Sequence, residues 1–523
     1  MSDCASGRRL GWIVGESTPR SSQVLFADDK DRLPRVGTYV LADSPDGCLF
    51  GILEFISSGN KLLSEDVTSP ESVDGLVQLI RQSPGVSPTY VKGTVRWLSY
   101  EGTLTEGEVS LPKVPPRPGT EVYEAPKETL EKVFKGESRE GGWVRLGSLV
   151  SDSDITYSVS VNKLTRHLAV LAVTGGGKSN TVCVLARSLV KELNATVVIF
   201  DMHGEYGDLG LEDKANYMRS PAIQPAMLTF GELVELTGMP ENATNQLRVL
   251  RQAWEDVMKD YQAGKVSPNE IMGTLRKTVE LMGEGKGGDP AVGVLNRLSD
   301  LEDYYGDILD SGVPMRLEEV IKPNMLNVFD LSELDERGAD AVVSHYLRRL
   351  LLERKRWKRS NGSEGYPTPV IVIIEEAHVL IPARGSTPTN LTKYWAARIA
   401  REGRKFGIGL VIVSQRPRNV DPDVLSQTNN KIILKMVEPQ DIKYVQEASE
   451  ELSEDLANML PSLNPGEAVV IGSMVKLPAV VKIDLCKCGD RSCKKGGGDL
   501  DLVKEWAARK PGGGSGEWLG ELT

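Results

Sequence analysis

The feature that most constrains the fold is the stretch LAVLAVTGGGKSN at 168–180, where an apolar run ends in three glycines, a lysine and a serine. The five apolar residues from Leu168 to Ala172 predict a buried strand, and the apolar spacing after Ser179 predicts a helix. Glycines at such a strand-to-helix turn let successive backbone N–H groups point inward, and the helix dipole adds positive potential there. The stretch therefore predicts a phosphate-binding loop in an α/β domain.

The side chains of this loop indicate a nucleotide and a metal ion. Lys178 can reach the β- and γ-phosphates of a nucleotide, and the Ser179 hydroxyl can ligate magnesium. Ala172 stands where the P-loop pattern G-x-x-x-x-G-K-[ST] has glycine, and alanine is small enough to enter that turn. The nucleotide contacts predicted from this loop are Thr174, Gly175, Gly176, Gly177, Lys178, Ser179 and Asn180.

A second apolar strand, TVVIFDMHGEY at 196–206, ends in the polar side chains Asp201, His203 and Glu205. Ligands of parallel sheets bind at the carboxyl ends of the strands, so this cluster is a candidate part of the nucleotide site. Asp201 and His203 are the predicted nucleotide contacts. The alternative is that an aspartate and a glycine only end the strand, and the upstream P-loop favours the functional interpretation.

The most apolar strand of the chain, PVIVIIEEAHVL at 369–380, is followed by two acids. A P-loop enzyme that hydrolyses its nucleotide requires acids at this place. We expect Glu375 to hold the magnesium shell, directly or through water, and Glu376 to orient and polarise the attacking water. The alternative is a buried strand that ends in acids by chance.

The stretch AARIAREGRKFGIGLVIVSQRP at 396–417 predicts a basic helix and then another apolar strand. Gln415, at the end of that strand, can contact a γ-phosphate if the strand lies beside the P-loop strand. Arg398, Arg401 and Arg404 share roughly one helix face. An exposed row of arginines can serve the phosphate of a neighbouring subunit, or it can simply be a solvated surface.

The composition restricts the partners and the compartment. The net charge is −11, so any DNA contact must come from a local basic site rather than from the whole surface. No run reaches the roughly 18 apolar residues of a transmembrane helix, and no apolar segment follows the first arginines as in a signal peptide. We expect a soluble cytoplasmic protein with no membrane contact.

The cysteine pattern does not predict a disulfide framework, because six cysteines are few for 523 residues. Cys486, Cys488 and Cys493 cluster near the C-terminus, where a reduced surface turn is expected. A zinc site is the less favoured alternative, because the spacing is unusual and no histidine lies near.

A basic cluster, RRLLLERKRWKRS at 348–360, ends a predicted helix. DNA binding is one interpretation. A helix that leads into the next parallel strand ends at the edge opposite the nucleotide, however, so a solvated helix terminus that compensates the dipole is preferred.

The pattern of elements predicts a multi-part chain. Short β-like runs in the first 120 residues predict a small β-barrel, since strands this short cannot bury their faces without closing on one another. Apolar residues at spacings of three and four predict a helical subdomain inserted into the α/β P-loop core. The predicted boundaries are 1–120 for the barrel, 121–225 for the first part of the core, 226–320 for the helical insertion, 321–495 for the second part of the core, and 496–523 for a flexible tail.

Three motifs taken together, TGGGKSN, DMHGEY and IIEEAH with the later REGRKFGIGLVIVSQRP, resemble the archaeal HerA family of the HerA/FtsK group of hexameric DNA translocases. The resemblance covers nearly the whole chain. It implies a RecA-like ATPase core of the additional-strand type, preceded by a barrel, and a homohexameric ring with ATP and Mg²⁺ bound between subunits.

The resemblance also implies roles for single residues. Lys178 and Ser179 would hold ATP and magnesium, Glu376 would activate water, and Gln415 would sense the γ-phosphate. Arg401 matches the arginine finger of the family best by its distance from the EEAH motif, and Arg404 is the second choice.

The family translocates on double-stranded DNA and works with the NurA nuclease in DNA end resection and double-strand break repair. The resemblance therefore implies a NurA-like nuclease docked near the barrel. The loop IPARGSTPTNLTKYW at 381–395 leaves the sheet at its nucleotide edge, and its Arg384 and Lys393 are candidate contacts to DNA phosphates.

The same motifs are compatible with two other functions. A related motor could move protein instead of DNA, because the motifs describe the ATPase and not its substrate. A nucleotide-gated scaffold could mainly clamp a nuclease. A small-molecule kinase is disfavoured, because nothing resembles an acceptor-binding lid and the paired acids suit activation of water.

Overall fold

The structure of the chain, a computed structural model, contains a β-barrel and a mixed α/β core with a helical insertion. The described residues are 4–27, 33–63, 69–82, 89–105, 108–136, 142–207, 209–219, 221–240, 242–284, 288–309, 312, 315–383, 391–488 and 491–492. Within these ranges, no helix combines the length and the apolar character needed to cross a bilayer.

The barrel is built from six strands, namely β1 (Arg9–Ser17), β2 (Ser21–Phe26), β3 (Tyr39–Ser44), β4 (Gly47–Asn60), β5 (Thr89–Tyr100) and β6 (Glu121–Glu124). They close in the order β1-β2-β5-β4-β3-β6, with β6 paired to β1. The closing strand lies just beyond the predicted boundary at residue 120. Closure buries the inward side chains, among them Val24, Leu49 and Val95, in one apolar cluster.

Three helices accompany the barrel, namely α1 (Pro70–Gln82), α2 (Glu101–Thr105) and α3 (Lys127–Phe134). The barrel packs directly on the core. The Tyr39 hydroxyl donates to the Pro478 carbonyl at 2.8 Å, and the Ser453 hydroxyl donates to Glu54 at 2.7 Å.

The core sheet contains eleven strands in the described part of the chain. They are β7 (Trp143–Leu149), β8 (Thr156–Ser160), β9 (Leu168–Leu171), β10 (Thr196–Asp201), β11 (Ala215–Met218), β12 (Leu326–Asp330), β13 (Val370–Ile374), β14 (Ile408–Ser414), β15 (Asn430–Leu434), β16 (Glu467–Ile471) and β17 (Ala479–Ile483). Their order is β11-β12-β10-β13-β14-β9-β15-β16-β17-β7-β8. The strands from β11 to β15 run parallel, and the remaining pairs are antiparallel. A hairpin of β18 (Lys487–Cys488) and β19 (Arg491–Ser492) follows.

The position of β14 decides the class of the core. It lies between the P-loop strand β9 and the acidic strand β13, and Ile412 is in register with Ala169 on one side and with Ile374 on the other. Because these strands are parallel and in register, their carboxyl ends meet at one edge of the sheet, here called the nucleotide edge. The predicted fold class, a P-loop core of the additional-strand type with a barrel and a helical insertion, is confirmed.

The helices cover the sheet, and those of the insertion lie between β11 and β12. The core helices are α4 (Lys178–Leu193), α10 (Glu336–Arg359), α11 (Ala377–Leu380), α12 (Leu391–Glu402), α13 (Pro422–Gln427), α14 (Pro439–Glu447) and α15 (Glu454–Met459). Those of the insertion are α5 (Phe230–Thr237), α6 (Thr244–Gln262), α7 (Ile271–Gly283), α8 (Gly288–Tyr305) and α9 (Leu317–Val320). Insertion and sheet share one apolar core, in which Trp254 and Leu275 belong to the same cluster as Phe200 and Phe329.

The prediction about the cysteines is wrong. Cys4 pairs with Cys48 and Cys183 with Cys486, with Cα atoms 5.7 and 6.0 Å apart, and Cys488 is also disulfide-bonded. Sequence spacing could not show these pairs, because 44 and 303 residues separate the partners. Cys493 lies outside the described residues. No group of three or more His, Cys, Asp and Glu side chains in the described part is arranged to hold a metal ion, so the zinc alternative gains no support there.

Candidate nucleotide site

The P-loop has the backbone that its glycines predict. Gly175 and Gly177 have φ angles of 74° and 105°, in the left-handed region that favours glycine. A Cβ on Gly177 would also lie 3.3 Å from the backbone of Gly466. The Gly466 N–H donates to the Gly176 carbonyl at 3.1 Å, and α4 begins directly after the loop.

Alanine at position 172 is compatible with this loop. Ala172 is buried at the end of β9, and its N–H donates to the Ser414 carbonyl at 3.3 Å. The Gly176 N–H still closes onto the Val173 carbonyl at 3.0 Å. The departure from the usual glycine therefore leaves the turn intact.

The amide at the end of β14 contacts the P-loop. The Thr174 hydroxyl donates to Gln415 Oε1 at 2.6 Å, although 241 residues separate the two. A side chain held by the loop that binds phosphates is well placed to respond to them. The role of Gln415 as a sensor of the γ-phosphate stays a prediction.

Asp201 organises a turn rather than facing the nucleotide. Its carboxylate accepts the backbone N–H groups of His203 at 3.2 Å, Glu205 at 3.1 Å and Tyr206 at 2.9 Å. The side chain is buried, and burial raises its pKa. Asp201 therefore positions this turn, and its contact with a nucleotide stays a prediction.

Residues 201–206, here called the Asp201 turn, bring two further side chains to the nucleotide edge. The Ser179 hydroxyl donates to Glu205 Oε2 at 2.5 Å. The Tyr206 hydroxyl donates to Glu375 Oε1. One short turn therefore contacts both the P-loop and the acidic strand.

Asn180 is engaged by the C-terminal part of the core. Its Nδ2 donates to the Asp484 carbonyl at 2.7 Å, and its Oδ1 accepts the Cys486 N–H at 3.0 Å. The Cys183–Cys486 disulfide reinforces the same junction one helical turn further along α4. The side chain of Asn180 is therefore not available to a nucleotide, and only its backbone N–H can play the predicted part.

Glu375 is a buried acid with an altered pKa. Burial raises its pKa to about 7, with a further contribution from the charge of Glu376, while the Tyr206 hydrogen bond and the charge of Lys178 oppose the rise.

Glu376 has a strained backbone, which is common at functional sites. Its φ is 45° at the start of α11, and the side chain is 6% exposed. Glu376 Oε2 lies 3.1 Å from Nδ1 of His378, and Oε1 lies 3.8 Å from Nε2 of His203. Burial lowers the pKa of His378, which favours a neutral ring beside the acid at pH 7.

The three arginines of α12 and the turn after it differ in their contacts. Arg398 forms an ion pair with Glu402 at 3.3 Å and lies over the Trp395 ring. Arg401 and Arg404 are exposed and form no ion pair with any described residue. Arg401 and Arg404 are thus the side chains of the row that are available to another molecule.

Comparison with known proteins decides the family. The model of the HerA helicase central domain matches residues 144–350. The chain is 41% identical to the "DNA double-strand break repair helicase HerA" of Sulfurisphaera tokodaii over 96% of this chain and 97% of the relative. It is 34% identical to the protein of that name from Pyrococcus furiosus, over 96% of this chain and 97% of the relative.

The chain belongs to the HerA helicase family. It is an ATP-hydrolysing enzyme of the helicase and translocase type. Among solved structures, it is similar to VirB4 of Thermoanaerobacter pseudethanolicus, with 17% identity, a TM-score of 0.48, and coverage of 67% of this chain and 98% of that chain.

The candidate DNA contacts of this chain have different outcomes. Arg384 lies outside the described residues. Lys393 forms an ion pair with Asp421 at 2.7 Å and donates to the Pro382 carbonyl at 3.0 Å. Its ammonium group holds the start of α13 against the loop, so the prediction that Lys393 contacts DNA has no support from the geometry.

Sequence reasoning missed three side chains of the site. Glu205 and His378 belong to motifs that the pattern indicated, but neither was expected to contact a named partner. Tyr206 gave no signal, because a tyrosine after a strand is most often a core residue. Glu205 could have been identified from its place in the motif DMHGEY, because that motif follows a strand that ends at the nucleotide edge.

Proposed function

We propose that the chain is an ATP-driven motor that moves along double-stranded DNA as a ring of six copies and acts with a NurA-like nuclease at broken DNA ends. The names of the relatives support the DNA substrate and the repair context. The observation that carries the proposal is the meeting of the P-loop, the two acids and Gln415 at one edge of the sheet.

Each of these residues has a separate task in hydrolysis. Lys178 and the loop N–H groups bind the β- and γ-phosphates. Glu376, held beside His378, orients a water molecule and accepts its proton. Gln415 links the presence of the γ-phosphate to the P-loop through Thr174.

The donor set fits magnesium. A hydroxyl and carboxylates are hard oxygen ligands, and Mg²⁺ in ATPases is usually held by one or two carboxylates together with the substrate phosphates. The Ser179 hydroxyl and a carboxylate at the nucleotide edge would hold it. When bound, the ion would neutralise charge that develops on the phosphates.

The unpaired arginine supports assembly into a ring. Arg401 ends α12, which leads into the amino end of β14, and the seven residues of β14 separate it from its own nucleotide edge. At about 3.3 Å per residue this is roughly 20 Å, too far for a side chain to span. Arg401 can therefore reach a phosphate only in a neighbouring subunit, where it would stabilise charge in the transition state.

The acidic net charge of −11 restricts DNA binding to local sites such as the inside of a ring. The loop with Arg384 is the proposed channel element. The barrel is the proposed docking surface for the nuclease, because its described residues take no part in the nucleotide site.

The decisive experiment measures ATP hydrolysis with and without duplex DNA, together with the mass of the particle in solution. We expect a hexamer whose rate of ATP hydrolysis rises when DNA is added. Lys178→Ala should abolish hydrolysis both with and without DNA. Turnover that ignores DNA, measured with the nuclease present, would refute the DNA motor. With that nuclease, Glu376→Gln should bind ATP but fail to support processive resection; unchanged resection would favour the scaffold.

A further inference from the structure

The structure gives the P-loop serine an acidic partner that the sequence pattern does not assign. In the usual P-loop arrangement, the acid that follows the hydrolytic strand helps to hold magnesium. Here the Ser179 hydroxyl donates to Glu205, which follows β10, and the strands β14 and β13 lie between β10 and the P-loop strand β9.

The acid at the expected place is otherwise occupied. Glu375 is 4% exposed, and its Oε1 accepts the Tyr206 hydroxyl. Its backbone N–H donates to the Phe200 carbonyl at 3.2 Å, which ties it to β10. Glu375 is thus packed into the sheet, and one of its two carboxylate oxygens is engaged by Tyr206.

Glu205 has the opposite surroundings. It is only partly buried, and its Oε1 has no hydrogen-bond partner among the described residues. A serine that donates its proton to a carboxylate keeps its lone pairs free for a cation, and the carboxylate adds a negative charge and a second oxygen. Ser179 and Glu205 therefore offer two neighbouring oxygen donors directly after the phosphate-binding loop.

We propose that Glu205 is the carboxylate that holds the magnesium ion of Mg·ATP together with Ser179, directly or through a bound water, and that Glu375 positions the strand end that carries Glu376. Asp201 keeps Glu205 in place, because its carboxylate accepts the Glu205 N–H. This inference rests on the proposed function only in that it concerns the same nucleotide site.

The test uses equilibrium binding, so that neither hydrolysis nor DNA is needed. The full-length protein is titrated with the fluorescent nucleotide mant-ADP in excess Mg²⁺ and again in EDTA. Glu205→Gln keeps an acceptor for the serine and loses only the charge. We expect its affinity to fall about tenfold or more in Mg²⁺, in line with losses at metal-supporting carboxylates, and to match the wild type in EDTA.

Two variants control the interpretation. Glu375→Gln should change the affinity in Mg²⁺ by less than about threefold. Glu205→Asp keeps the charge on a shorter side chain and should recover part of the affinity. Mn²⁺ titration in the presence of ADP, followed by electron paramagnetic resonance, should show weaker metal binding for Glu205→Gln than for Glu375→Gln.

The outcomes are distinct. Wild-type affinity of Glu205→Gln in Mg²⁺, or equal losses in Mg²⁺ and EDTA, would overturn the proposal and leave Glu205 as a support of the loop. A larger loss for Glu375→Gln would overturn it in favour of the usual arrangement. Failure of the DNA motor would appear instead as DNA-independent turnover, which this binding assay does not measure.

Discussion

Both edges of the parallel sheet are rich in charged side chains, but these side chains have different partners at the two edges. At the amino edge, the Arg354 guanidinium donates to the carbonyls of Phe406, Tyr366 and Pro367, each at 2.8 Å, and Lys355 pairs with Glu402 at 2.6 Å. At the nucleotide edge, acids lie beside other acids, and no described lysine or arginine forms an ion pair with Glu205, Glu375 or Glu376.

The difference shows what a run of charges in a sequence means. The basic cluster at 348–360 has many cations, but the structure commits Arg354, Lys355 and Lys358 to carbonyls and a carboxylate. Folding itself compensates these charges. At the nucleotide edge the described residues leave the acids without a cationic partner, and in the proposed function a ligand that carries a cation and phosphates compensates them.

The largest expected effect concerns Arg401, which like Arg404 forms no ion pair with any described residue. Arg401→Ala should lower kcat about 10³-fold or more while leaving nucleotide affinity unchanged. Arg398→Ala, which removes an arginine already paired with Glu402, is the matched control and should have a small effect.

Mixing experiments sharpen this prediction. Subunits with Lys178→Ala retain Arg401, and subunits with Arg401→Ala retain the P-loop, so mixed rings should recover part of the turnover that each variant lacks alone. Full activity of Arg401→Ala would contradict the assignment. If Arg404→Ala loses ATP hydrolysis instead, Arg404 is the arginine finger.

The second effect concerns a paired charge. Arg354→Met should lower the free energy of unfolding by about 3 kcal/mol, because three carbonyls lose their donor. Denaturant unfolding followed by circular dichroism measures it. Arg359→Met, at an exposed position of the same helix, should cost less than about 0.5 kcal/mol. If both variants lose the same free energy of unfolding, the carbonyl contacts of Arg354 contribute no more to stability than a solvated arginine does.

The smallest effect tests a buried acid of the helical insertion, Glu235 of α5. Burial first, and then the charge of Asp340, raises the pKa of Glu235 to about 7 from 4.5, and its Oε2 has no partner among the described residues. Since the folded pKa is the higher one, the wild type is stabilised by the neutral acid at low pH and loses that stability as the pH rises from about 4.5 through 7.

Glu235→Gln removes this dependence. We expect it to match the wild type near pH 5 and to be more stable by about 1–2 kcal/mol at pH 8, measured by denaturant unfolding at both values. Glu255→Gln, at an exposed position of α6, should show no such difference between the two pH values. A loss of stability in Glu235→Gln at pH 8 would mean that the charged acid has a partner there.

Much of the fold was predictable because its signals are local. The apolar run of β9, the glycines that adopt positive φ, and the spacing of apolar residues in the insertion each depend on neighbours within a few residues. The same holds for the acids of β13, whose place after a buried strand put them at the nucleotide edge.

Local sequence patterns thus specify the elements of this protein, the class of its core and the edge of the sheet that is predicted to bind the nucleotide. The side chains that meet at that edge are set by tertiary packing. Thr174 meets Gln415, Ser179 meets Glu205, and Cys183 meets Cys486 because of the strand order and the path of the chain after β17. Periodicity reports which face of an element is buried, but it contains no information about which distant element covers that face, so such pairs arise only from packing.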